Sequence, residues 1–133
     1  MELTERFINY TKFDTQSSED SDGVPSTAKQ MEFAKYLKQE LEDEGLCDVE
    51  MDEMGYIYAT LKGNTKKETP TIGFISHYDT SPDASGKDIK ARIIKNYDGK
   101  DIELSPGIVS STSKFPELKD HVGEDIIVTD GTT

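Results

Sequence analysis

The chain has 133 residues, room for one domain or for part of a larger one. Only 33% of them are hydrophobic, low for a compact domain, so part of the chain is loop or carries apolar surface meant to pack on something else. With 27 acidic against 15 basic residues the net charge is −12, which repels a phosphate backbone and an anionic lipid surface alike and leaves nucleic acid and membrane as unexpected partners.

The opening MELTERFINY lacks the basic and apolar regions of a secretory signal. Leu3, Phe7, Ile8 and Tyr10 are instead spaced as one face of a short amphipathic helix over 3–13. DTQSSEDSDGVPS then reads as a polar loop. Aligned on Gly23 as a calcium loop, it has Ser18 in the first place and Lys29 in the twelfth, where acidic groups are needed, so calcium is not expected.

A longer helix is predicted over 27–44. Thr27 and Gln30 fit a capping box, Phe33, Ala34, Leu37 and Leu41 form its apolar stripe, and Gly45 stands where a C-terminal cap belongs. Glu40, Glu42, Asp43 and Glu44 read as its solvated face. Two β-rich runs follow. CDVEMDE alternates through Cys47, Val49 and Met51, GYIYATLKG alternates likewise, and a turn at 53–55 joins them as a hairpin. Cys47 is the one cysteine, which excludes an intrachain disulfide, fits a reducing compartment, and has no neighbouring histidine to make it a nucleophile.

The stretch TIGFISHYDTSPD carries the chemistry. Ile72 to Ile75 is apolar on both alternating faces, the pattern of a strand covered on both sides at the centre of an α/β sheet. Residues two apart on a strand share a face, so His77 and Asp79 point one way while Ser76 and Tyr78 point the other. Ligand crevices in such sheets lie beyond the carboxyl ends of the strands. There an imidazole binds a metal through one nitrogen while a carboxylate holds the other, and zinc suits that donor set. A His and an Asp that merely cap a turn before Pro82 remain the alternative. One histidine cannot hold zinc alone, and His121, in the polar LKDHVGED, reads as a surface residue. Residues 84–120 look irregular, with one or two short strands near 89–104, and EDIIVTDG reads as a last strand. The chain stops directly after it, where a covering helix is expected, and is read as cut short. No run approaches the length of a membrane span, and a soluble cytoplasmic protein is expected.

FINYTKFDTQS, VPSTAKQ, LEDEGLCDV, FISHYDTSPD, NYDGKDIEL and FPELKDHVGEDIIVTDG, in that order, resemble the M20 family of zinc peptidases over nearly the whole chain. The resemblance implies an α/β fold: an incomplete three-layer αβα sandwich with a mixed central sheet. Residues 1–133 would be the N-terminal part of the catalytic domain, without its remainder and without the smaller dimerisation domain. It implies that His77 is the metal ligand for one of two zinc ions, and that Asp79 is a catalytic-site residue orienting that histidine. The bridging aspartate, the general base and the remaining ligands would lie beyond residue 133. The implied reaction is release of the N-terminal residue of tripeptides by a metal-activated water, in a homodimer acting on small peptides, with the isolated chain inactive. Two other readings stand beside it. One is an M20-type amidohydrolase acting on acylated amino acids. The other is a non-catalytic module that binds a partner through an exposed sheet edge.

Overall fold

The computed structural model describes residues 1–132 and is mixed α/β. It divides into two units, Asp14–Asp83 and Met1–Phe13 together with the stretch from Ala84 onward.

In the unit Asp14–Asp83, helix α2 spans Gln30–Asp43, and its Phe33 and Ala34 are buried. Its C-terminus closes as the sequence predicts. Leu46 N–H donates to Leu41 O and Gly45 N–H to Glu42 O, with Gly45 at φ +81°, so glycine takes the left-handed step that ends the helix. The predicted N-terminus is corrected. The helix begins at Gln30, not Thr27, and no side chain caps it. The Thr27 hydroxyl donates instead to Gln16 O at 2.9 Å, and the Gln30 amide nitrogen to Thr15 O at 3.2 Å. The two side chains meant for the capping box serve backbone carbonyls of the preceding loop.

Strands β1, Cys47–Met51, and β2, Ile57–Thr60, form the expected antiparallel hairpin, on which α2 packs. Cys47, Val49 and Met51 alternate inward as predicted. Asp52 builds the turn: its Oδ1 accepts the N–H groups of Met54 and Tyr56 at 3.0 and 2.9 Å.

The other unit contains α1, Leu3–Tyr10, and two short ladders. β3, Arg92–Ile94, pairs antiparallel with β6, Ile126–Val128, at the two places where the sequence predicts strands. β4, Ile102–Ser105, turns through Pro106 and Gly107 into β5, Ile108–Ser110. Tyr97 and Ile102 are the buried apolar residues here. Neither β5 nor the 3₁₀ turn at Pro116–His121 is predicted from sequence.

The central-sheet expectation is not met among the described residues. The three ladders have two strands each and do not merge into one mixed sheet, so no three-layer αβα sandwich is formed among the described residues. Residues 71–76 form no strand. Ile72 is 73% exposed, Phe74 93%, and Ile75 completely so. The reason lies in what the pattern encodes. A strand apolar on both faces is stable only with a neighbour on each edge and a layer over each face. Among the described residues no strand is paired with this run and no helix covers it.

Gly55 shows how tightly the hairpin turn fits its surroundings. It sits at φ +87°, and a Cβ there would stand 2.6 Å from Tyr78 Oη and 2.9 Å from Met31 Sδ. Gly55→Ala should cost about 1–3 kcal/mol, read as a lowered urea midpoint at unchanged slope. A variant as stable as the original would remove the steric argument.

Candidate functional site

The chain around His77 is held from one side. Thr80 N–H donates to Thr15 O at 3.1 Å and Ser17 N–H to Thr80 O at 2.9 Å, a short parallel bridge centred on Gln16 and Thr80. The Ser17 hydroxyl adds a second donor to Thr80 O, and the Gln16 amide donates to Pro82 O at 2.9 Å. Thr15 beneath them is only 4% exposed.

Tyr78 is fixed from another direction. Its ring meets Phe33 of α2 edge-on, centroids 6.0 Å apart at 82°, and its hydroxyl donates to Gly55 O at 3.1 Å. Burial, and after it the carboxylates of Asp52 and Asp79, raise the Tyr78 phenol above its usual value.

His77 and Asp79 meet each other. His77 Nδ1 lies 2.9 Å from Asp79 Oδ1 and 3.0 Å from Asp79 O. A carbonyl and a carboxylate both accept, so the ring proton belongs on Nδ1, and Nε2 keeps its lone pair. The ring is 83% exposed and Nε2 has no hydrogen-bond partner among the described residues. The sequence argument for a shared face assumed a strand. The pair forms instead in an irregular segment, because the bridge at Thr80 and the anchor at Tyr78 fix the chain on both sides of Asp79.

This geometry fits one ligand of a zinc site: an imidazole oriented by a carboxylate, with its free nitrogen open. It is one ligand only. No group of three or more His, Cys, Asp or Glu placed to hold a metal ion occurs among the described residues. His121 is exposed, as expected, and its Nδ1 pairs with Glu124 Oε2 at 2.9 Å. Thr15, Gln16, Ser17 and Gln30 support the site without any sequence signal for that role, since each acts on a residue far along the chain. No helix among the described residues is long and apolar enough to cross a membrane.

No family model matches the chain. Curated relatives do. Peptidase T of Caldanaerobacter subterraneus subsp. tengcongensis is 55% identical over 133 residues, which is 98% of this chain and 32% of that protein. Peptidase T of Clostridium botulinum strain Hall is 54% identical over 134 residues, 99% of this chain and 33% of that protein. The chain is homologous to peptidase T. It spans about a third of the length of the peptidase T proteins it matches.

The Tyr78 anchor predicts a pH-dependent loss when it is cut. Tyr78→Phe removes one hydrogen bond and should lower stability by about 1 kcal/mol near neutral pH. Because the folded state raises the phenol, its contribution is complete below the ordinary value of 10.0 and is lost as pH rises through the folded value. Urea titrations at stepped pH should therefore show a flatter alkaline decline in the variant. An identical decline would mean that Tyr78 does not titrate with folding.

Proposed function

We propose that this chain is the N-terminal part of the catalytic domain of an M20-type zinc aminopeptidase, and that it contributes His77 as a ligand to one of two zinc ions. The observation that carries the reading is the His77–Asp79 pair, which leaves Nε2 open, in a chain homologous to peptidase T over 98% of its length. Asp79 accepts the hydrogen bond from Nδ1–H, fixes the tautomer and aims the ring. Zinc, when bound, activates a water and polarises a peptide carbonyl.

The further ligands and the general base belong, on this reading, to the two thirds of the relatives' length that this chain does not span. The isolated chain is then inactive. The exposed run at 71–76 is the strand that lies central once the rest of the domain flanks it, a reading supported by its two-sided apolar pattern and its exposure here. The substrates are small peptides, tripeptides among them, cut behind the N-terminal residue. The full-length protein is a cytoplasmic homodimer. The names of the relatives favour peptidase over deacylase chemistry.

In the full-length protein, His77→Ala should lose one tightly held zinc and nearly all tripeptide turnover. Asp79→Asn should weaken zinc binding or activity by about 10–100-fold, because an amide is a poorer acceptor for the imidazole N–H. His121→Ala should change neither. Zinc titration calorimetry and tripeptide hydrolysis measure all three. Two tight zinc ions with undiminished turnover in His77→Ala would refute the assignment, as would zinc-dependent tripeptide hydrolysis by the isolated 133-residue chain.

A further inference from the structure

The two residues that the sequence offers as a helix cap leave the helix uncapped and reach back to the loop that braces the site. Gln30 is 3% exposed. Its amide nitrogen donates to Thr15 O at 3.2 Å and to Ser26 Oγ at 3.4 Å. Thr15 O also receives the N–H of Thr80. Thr27 donates to Gln16 O at 2.9 Å, and Gln16 reaches on to Pro82 O. The peptide unit between Asp79 and Thr80 is thus tied, through one carbonyl, to a buried side chain on the first turn of α2. Such a tie fixes where the Asp79 backbone, and with it the carboxylate, stands relative to the His77 ring. The N–H groups at that helix end are met by a tighter turn instead, Gln30, Met31 and Glu32 donating to the carbonyls of Thr27, Ala28 and Lys29, which leaves both side chains available to the loop.

We infer that Gln30 and Thr27 are positioning residues for the His77–Asp79 pair: from the start of α2 they hold the segment 15–17 in register with Thr80, so that Asp79 keeps the ring proton on Nδ1 and His77 Nε2 open. The inference rests on the proposed metal-ligand role of His77. It gives the N-terminus of α2 a function in the site that neither residue has through contact with His77 or Asp79.

The test uses two substitutions that keep shape and remove a donor, Gln30→Met and Thr27→Val, with Thr27→Ser as the conservative restoration. Nitrogen and carbon chemical shifts of the His77 ring, recorded in the 133-residue chain at about pH 8 where an ordinary imidazole is neutral, report the tautomer directly. The original chain and Thr27→Ser should show the Nδ1–H form. Gln30→Met and Thr27→Val should shift toward the mixture of a free imidazole, while the ring-current signature of Phe33 against Tyr78 confirms an intact fold. In the full-length protein the same two variants should bind zinc about 10-fold more weakly, the low end of what losing an outer support costs. Unchanged tautomer and zinc affinity in both, with zinc lost in His77→Ala, would overturn the positioning role and leave the ligand role standing. Zinc retained in His77→Ala would overturn the ligand role itself. If Gln30→Met does not fold, Thr27→Val against Thr27→Ser decides: a shift that serine restores supports the inference, and no shift overturns it.

Discussion

Two backbone hydrogen bonds between Thr80 and the segment Thr15–Ser17 decide the layout of the unit that carries the candidate site. They join stretches more than sixty residues apart, so each depends on everything folded between. Closing such a loop costs entropy that grows only slowly with length, and a bridge of two bonds does not offset it alone. The buried Thr15 and Gln30, the edge-to-face contact of Phe33 with Tyr78, and the fit of Gly55 beneath the Tyr78 hydroxyl supply the rest. The His77–Asp79 pair is left outside this arrangement. Tyr78 is held on the packed side while its neighbours His77 and Asp79 meet in solvent.

What the sequence made legible were the elements governed by near neighbours. Gly45 ends α2 because only the residues just before it need to agree, and Asp52 sets its turn with donors two and four positions on. The alternation of Cys47, Val49 and Met51 needs nothing beyond the hairpin. Two readings failed for the opposite reason. Thr27 and Gln30 have the spacing of a capping box, but spacing says which local donors are within reach, not which distant acceptor competes for them. The carbonyls of Thr15 and Gln16 do compete. Likewise Ile72 to Ile75 carries the mark of a covered strand, and that mark states what neighbours such a run needs rather than a property of the run itself.

The site divides along the same line. His77 and Asp79 are two residues apart, and their meeting was readable from that separation, although a strand was the wrong vehicle for it. Their supports were not readable. Gln30 looks like a helix residue and Thr15 like loop, and only the folded chain brings both beneath Thr80. A histidine with one oriented nitrogen is also as far as this stretch of chain goes: among the described residues no further donors gather around it.

The exposure of the run at 71–76 governs how copies of this chain behave toward one another. Six consecutive residues, TIGFIS, carry no charge and no proline, and such a window with its edges unpaired is a template for intermolecular β-pairing. Pro70 on one side and the acidic Asp79 and Asp83 on the other act as gatekeepers at its margins. The main restraint is colloidal: a charge of −12 on each copy keeps these exposed runs apart at low ionic strength. At about 0.1 M salt that repulsion reaches only about 10 Å, so added salt draws the chains toward association through the segment that presents His77.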